Sequence, residues 1–368
     1  MADDSRSPLG PIAARFAFEG DFIDAVEIPS GHINSTFRAS FREPSGEVRR
    51  YVIQRINDSV FPDPLAVMRN VERVTRHLRT KQEAGARGLV LRPARDGRAW
   101  VESDDGGIWR CYDFIEGGVT YDIIENPRQA WQAAHAFGRF QEGLSDLPAE
   151  EIEETIADFH HSRKRFEHLM DVVRRDPCGR VAGVAAELDF VQQREADCSV
   201  LVDLLERGEI PYRITHNDTK LNNVMIDAAT DEALCVIDLD TVMPGSALYD
   251  FGDLVRSATS PAAEDEKDLS KVEMRLPMFE ALAGGYLAAT ASFLTDAEVA
   301  QLAFSGKLIT LETGIRFLSD HLAGDVYFKT RREGHNLDRC RTQFKLVAEI
   351  ERHFPALEAI VLQSRSRL

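Results

Sequence analysis

The chain has 368 residues, 43% hydrophobic and 29% charged, a balance that fits an ordinary globular protein of two domains or one bilobal unit and excludes a disordered one. Its formal charge of -17 argues against nucleic acid or an anionic membrane as partner, since such surfaces attract clustered Lys and Arg and repel net acid. Five cysteines, Cys111, Cys178, Cys198, Cys235 and Cys340, show neither CxxC spacing nor short regular intervals, so neither a zinc site nor a disulfide scaffold is implied.

The N-terminal MADDSRSPLG is polar and acidic without an apolar stretch, so no secretory signal is expected, and a reducing, cytoplasmic setting fits the cysteines. Strands are predicted at 24–28, 35–42 and 48–56, the last two split by Glu43-Pro44-Ser45-Gly46, which supplies hairpin turn chemistry. Over 64–79, Leu65, Val67, Met68, Val71, Val74 and Leu78 fall close to one helical face, with Pro64 suited to the first turn. A second hairpin, 99–102 with 108–114, flanks Ser103-Asp104-Asp105-Gly106-Gly107.

After Gly117-Gly118 the pattern turns helical, at 127–144, 151–174, 185–206 and in several segments from 269 onward. The apolar run 199–205 is too short to cross a bilayer. The predicted fold class is therefore α+β and bilobal: a small β lobe with one helix over 1–116, then a larger, mainly helical lobe over 117–368. Inside the second lobe, short strands at 212–214, 224–226 and 234–237 have charge-bearing residues directly beside them. The acidic stretch 262–268 reads as a solvated loop or a helix start.

Those charged residues form a pattern. His216-Asn217-Asp218-Thr219-Lys220-Leu221-Asn222-Asn223 has the spacing of a kinase catalytic loop, in which an Asp meets the acceptor hydroxyl and an Asn five residues on ligates Mg²⁺. Asp218 is the candidate base, Lys220 a cation pointing the same way in an extended loop, and Asn223 the metal-binding amide. Downstream, Val236-Ile237-Asp238-Leu239-Asp240 is an apolar strand ending in carboxylates. Asp238 is the candidate second ligand, because Mg²⁺ takes hard oxygen donors and keeps several waters. Taken alone, Asp218 could be a turn former. In register with Asn223 and Asp238, that ordinary reading loses most of its weight. Asp240 stays open between a metal or sugar contact and a plain loop residue, and His216 is expected to shape the loop through backbone bonds.

Further stretches carry a resemblance: SGHINSTF at 30–37, YVIQRIN at 51–57, FPDP with VMRNVE up to Glu72, THNDTKLNN at 215–223, IDLDTVMPGSALYDFGD at 237–253, and GIRFLSDHLAGDVYF at 314–328. Over nearly its whole length the chain resembles the aminoglycoside phosphotransferase and choline kinase superfamily of protein-kinase-like folds, and within it the N-acetylhexosamine 1-kinase branch. The resemblance implies a small antiparallel lobe that binds ATP, Mg²⁺ as the metal, and N-acetylglucosamine or N-acetylgalactosamine as the acceptor, phosphorylated at the anomeric hydroxyl.

It also implies that Arg55 on the third strand, held by Glu72 of the following helix, grips the α- and β-phosphates. Arg stands where the family usually has Lys; it keeps the charge and offers two donors. Gln54 is the rival for this place if the register slips by one residue. The covering loop 29–36 has one glycine, Gly31, so phosphate contact would rest on backbone amides there and on the side chains of Asn34 and Ser35. Adenine is expected along the backbone of Phe114, Ile115 and Glu116.

On the acceptor side the resemblance points to His32, Arg316 and Tyr327. The competing reading of Arg316 is a helix salt bridge to Asp320, four residues on. Asp250 is expected to brace the catalytic loop, and Trp100, Trp109 and Trp131 to be packing residues. The nearest rival function is a kinase of the same fold acting on choline, homoserine, an aminoglycoside or another sugar. A catalytically silent nucleotide- or sugar-binding protein is the rival of a different class.

Overall fold

The structure is a computed structural model that describes residues 9–29, 33–81, 88–121 and 123–368. Its N-terminal part runs α1 (Gly10–Ala13), β1 (Asp21–Glu27), β2 (Ser35–Arg42), β3 (Val48–Arg55), α2 (Pro64–Lys81), β4 (Val101–Glu102) and β5 (Ile108–Asp113). The strands pair antiparallel in the order β1-β2-β3-β5-β4. Alternation gives this sheet two different faces. Phe41, Tyr51, Ile53, Trp109 and Cys111 cover one face and pack with Ala13 and Phe16. Residues of the opposite parity, Ile108 and Tyr112, pack against Val67, Met68 and Val71 of α2. The register is Ser35↔Arg55↔Trp109 and Thr36↔Gln54↔Arg110, so Arg55 belongs to the outer face and Gln54 to the inner one.

The chain then passes through Gly117, whose φ of 75° suits glycine, into β6 (Gly118–Val119). There follow α3 (Pro127–Leu144), α4 (Ser162–Arg175), α5 (Ala185–Gln192), α6 (Asp197–Glu206), β7 (Arg213–Thr215), β8 (Val224–Asp227), β9 (Ala233–Val236), β10 (Met243–Gly245), α7 (Ala247–Ala258), α8 (Leu276–Thr290), α9 (Asp296–Ala323) and α10 (His335–Ser366). The order β6-β8-β9 makes one small sheet and β10-β7 another. An antiparallel β lobe thus precedes a helical lobe, as the sequence predicts. The α3 helix matches its predicted span because Asn126 caps it, accepting the Gln129 N–H, and Pro127 fills its first turn.

Two predicted helices differ. The one expected over 151–174 begins only at Ser162. Asn70 of α2 donates to the Glu153 carbonyl at 2.7 Å and accepts its N–H at 2.9 Å, so the preceding stretch is committed to holding α2. The segment 185–206 breaks into α5 and α6. At the break, Arg194 reaches Glu351 of α10 with two bonds and lies 3.5 Å over the Phe190 ring. The acidic stretch 262–268 is clasped to α10, since Asp265 accepts from His335 and Arg332.

The hydrophobic core is continuous from Met68 and Val71 of α2 through Phe137 of α3 to Leu254 of α7 and Leu282 of α8. All five cysteines are free thiols. Among the described residues, no helix is long and apolar enough to cross a membrane.

Candidate active site

Asp218 sits in the loop after β7, and the loop's shape is fixed by groups that face away from the cleft. The fully buried Asp250 of α7 accepts the backbone N–H of His216 at 2.9 Å and of Asn217 at 2.7 Å, and binds Gln141 of α3 at 2.5 Å. His216 donates from Nε2 to the Ile237 carbonyl at 2.9 Å, which leaves Nδ1 to accept the Asp218 N–H at 3.3 Å. His216 therefore shapes the loop, as the sequence suggests. Asn217 adopts a left-handed φ of 62° and spends its amide on the Thr215, Thr241 and Met243 carbonyls. Gly245 is required opposite, because a Cβ there would stand 2.4 Å from Thr215 Oγ1.

So held, the Asp218 carboxylate meets Lys220 Nζ at 3.0 Å and Asn223 Nδ2 at 3.1 Å. Burial pushes this carboxyl up, but the Lys220 ammonium leads the groups that outweigh burial and hold it below the usual range. Asp218 is thus ionised and able to accept a proton.

Asp238 is brought alongside because the Ile237 N–H donates to the Asn223 carbonyl at 2.9 Å. Its φ of 61° is strained for a residue with a side chain, and it opens on the cleft. The cleft walls, followed by the carboxylates of Asp240 and Asp218, push its carboxyl up to about 6, with Arg110 pulling partly back. A cation would relieve that repulsion. Asn223 gives its NH₂ to the Asp218 carbonyl at 2.7 Å as well as to the carboxylate, so its amide oxygen points away from Asp218 and could serve a cation. One carboxylate and one amide oxygen suit Mg²⁺, which fills its remaining positions with water and phosphate oxygens.

On the small-lobe side the structure corrects the expectation for Arg55 and Glu72, which do not meet. Arg55 points from the outer face, with NH1 2.9 Å from Asp105 and the guanidinium over Trp109. Glu72 accepts from Arg76, one turn along α2. The one-residue offset in β3 is decisive, since neighbouring side chains on a strand point to opposite faces. Gln54 faces inward, donates to Thr36 Oγ1 at 3.0 Å and accepts from Arg110 Nε at 2.9 Å.

Arg110 is 1% exposed and binds the Asp240 carboxylate, itself 3% exposed. The sequence reading missed Arg110. Its signal was a lone charge in the otherwise apolar strand 108–112, a placement that requires a buried partner. Asp240 also accepts from Asn34 Nδ2 at 2.6 Å, and Asn34 Oδ1 accepts the Asn57 N–H at 3.0 Å. The Asn34 amide is therefore engaged at both ends within the protein. Ser35 is exposed at the start of β2, whereas Gly31 and His32 lie outside the described residues.

At the lobe junction, the Phe114 N–H donates to the Arg50 carbonyl and the Ile115 carbonyl accepts from Gly118. Among the described residues, the Phe114 carbonyl and the Ile115 N–H have no partner, which leaves them open to an adenine edge. Glu116 holds Arg50 at 2.8 Å, and that guanidinium covers the Phe114 ring.

Farther along α9, the Arg316–Asp320 salt bridge does not form. Asp320 accepts the N–H groups of Val326, Tyr327 and Phe328 together with the Asn336 amide. Arg316 instead lies among the rings of Phe159, Phe328 and Tyr327, at 5.0, 5.6 and 6.0 Å, and among the described residues no carboxylate pairs with it.

One helical turn before Arg316, the buried Glu312 accepts from Ser162 and contacts His160 Nδ1 at 2.8 Å, while His160 Nε2 contacts the Asn217 carbonyl at 3.0 Å. Both ring nitrogens face acceptors, so the imidazole carries two protons. Burial lowers its pKa, yet Glu312 and the Asn217 carbonyl more than compensate and raise it. Because the folded value is raised, this contribution to stability is complete below the unfolded value of about 6.5 and is lost as pH rises through the folded one. The melting temperature is expected to fall on that alkaline limb. In Glu312→Gln the fall should flatten in a pH series of thermal melts; an unchanged slope would assign it to other groups.

The profile of the phosphotransferase enzyme family, APH, matches residues 24–295. Among solved structures, a microcompartment-associated aminopropanol kinase superposes with a TM-score of 0.63 at 18% identity, covering 95% of this chain and 97% of that one. An aminoglycoside phosphotransferase from Alicyclobacillus acidocaldarius gives 0.61 at 13% identity, covering 100% and 99%. An amicoumacin kinase in complex with AMP-PNP and Ca²⁺ gives 0.58 at 16% identity, covering 90% and 91%. At these identities the structural likeness establishes a shared fold.

Proposed function

The chain belongs to the APH phosphotransferase enzyme family, and from that membership we propose that it transfers the γ-phosphoryl group of ATP to the anomeric hydroxyl of an N-acetylhexosamine, N-acetylglucosamine or N-acetylgalactosamine, giving the sugar 1-phosphate and ADP. The observation that carries the phosphoryl-transfer part is the Asp218 carboxylate, ionised beside Lys220 and Asn223, with Asp238 opening on the same cleft. Support for an uncharged acceptor comes from Arg316, a cation set among the rings of Phe159, Phe328 and Tyr327, which disfavours a cationic amine beside it. The long matching stretch 314–328, which contains Arg316 and Tyr327, favours the sugar branch.

In this reading Asp218 orients the acceptor hydroxyl and takes its proton as the new O–P bond forms. Lys220 keeps Asp218 ionised between turnovers. Asn223 and Asp238 would hold Mg²⁺, which when bound neutralises charge on the β- and γ-oxygens. The open groups of Phe114 and Ile115 would orient the adenine, and the backbone around Gly31 with Ser35 would cover the phosphates. His32, Arg316 and Tyr327 would contact the sugar.

The test is ADP release from Mg·ATP with N-acetylglucosamine, N-acetylgalactosamine, choline, homoserine and an aminoglycoside assayed in parallel. Turnover with the two sugars, and an acceptor KM raised in Arg316→Ala while the ATP KM stays put, is the expected result. Turnover confined to choline, homoserine or the aminoglycoside would replace the acceptor assignment, and turnover with none of the five would remove it.

A further inference from the structure

We propose that Arg110 is a positioning residue for phosphoryl transfer: through Asp240 it ties the segment carrying Asp238 to Asn34 and to the inner face of the small-lobe sheet, and so fixes where the Asp238 carboxylate stands. The inference rests on the reading of Asp238 as the metal-holding carboxylate.

The tie is an unbroken chain of bonds. Thr36 Oγ1 accepts from Gln54, Gln54 accepts from Arg110, Arg110 donates to one oxygen of Asp240, Asn34 donates to the other, and Asn34 in turn accepts the Asn57 N–H. It joins β2, β3 and β5 to the short helical turn 239–241, across sequence separations of 130 and 206 residues. With both oxygens occupied, Asp240 is held off the cleft and Asp238, two residues earlier, is the carboxylate that opens on it.

Stability alone does not account for the pair. A buried ion pair is often no more stabilising than packed apolar side chains of similar volume, because desolvating two charges offsets their attraction. A fixed geometry does require it. Asp238 has a left-handed backbone, a conformation that persists only where the surroundings over-determine it, and the Asp240 anchor does so from the adjoining turn. The β3 position facing the cleft is an uncharged Gln54, and the buried cation comes from the neighbouring strand.

The experiment compares Arg110→Met, Arg110→Lys, Asn34→Ala and the double variant Arg110→Met with Asn34→Ala. Thermal melting establishes folding, calorimetry gives the affinity for Mg·ADP, and turnover is followed against Mg²⁺ concentration. Arg110→Met and Asn34→Ala are each expected to weaken Mg·ADP binding by about 10-fold and to raise the Mg²⁺ requirement, with the acceptor KM unchanged. The double variant is expected to be no worse than the weaker single one, because both cut the same link. Arg110→Lys should recover part of the loss. Asn34 is only partly buried, so Asn34→Ala carries the test if Arg110→Met does not fold.

Folded Asn34→Ala with wild-type affinity and Mg²⁺ dependence overturns the proposal, as do effects of Arg110 and Asn34 that simply add. Asp238→Asn, run alongside, separates this outcome from failure of the underlying reading. If Asp238→Asn binds Mg·ADP like the wild type, the metal assignment falls and this proposal with it. If only Asp238→Asn is weakened, the metal assignment stands and the Arg110 proposal alone is lost.

Discussion

Asp218→Asn is expected to lower turnover by at least ~10²-fold, the range for losing a positioned acid or base, while nucleotide affinity stays close to that of the wild type. Asparagine keeps the shape of the side chain, and an amide oxygen can still accept from Asn223. It cannot take the acceptor's proton, and it leaves Lys220 without the carboxylate now 3.0 Å away. The loop itself should survive, because its shape comes from Asp250, His216 and Asn217. Single-turnover ADP release and calorimetric ATP titration on the same preparation separate the two effects. Turnover like that of the wild type would take Asp218 out of the mechanism.

Asp250→Ala is expected to cost about 3 to 5 kcal/mol of stability, the range for breaking a buried charged contact and leaving its partners unsatisfied. Three donors lose their acceptor at once: the His216 and Asn217 N–H groups and the Gln141 amide. None can turn to water, because Asp250, His216, Asn217 and Gln141 are all buried. Two of these donors belong to the two residues before Asp218, so turnover of the folded fraction should fall as well. Chemical denaturation monitored by two probes gives the stability change. A loss below about 1 kcal/mol would mean that the loop keeps its shape without this brace.

Residue types in local order were enough for much of the molecule. Alternating side chains and the Glu43-Pro44-Ser45-Gly46 turn placed the β2–β3 hairpin, and Asn126 with Pro127 placed the start of α3. The spacing from Asp218 to Asn223 and on to Asp238 announced the loop and the strand end that lie side by side. His216 also serves the loop, as expected from its residue type, and Asp250 braces it, as the resemblance implied.

The errors came where a partner distant in sequence chose the outcome. Local pattern continued a helix through 185–206, yet Arg194 left it for Glu351, more than 150 residues away. Distant partners also decided between open readings: the rival salt bridge from Arg316 to Asp320 is absent because four groups beyond the helix's last turns claim the Asp320 carboxylate. Arg55 was assigned to the phosphates by resemblance, with Gln54 as its rival, and pairing register turned Arg55 to the outer face.

The sequence by itself determined the order of elements, the catalytic-loop spacing and the acidic strand end, because these depend on residues close together in the chain. Tertiary structure alone decided which cation is buried at the cleft, what Asp240 does and how Arg316 is surrounded. The physical reason is the same in each case. A buried charge is tolerable only where a partner meets it, and for Arg110 that partner, Asp240, lies 130 residues along the chain.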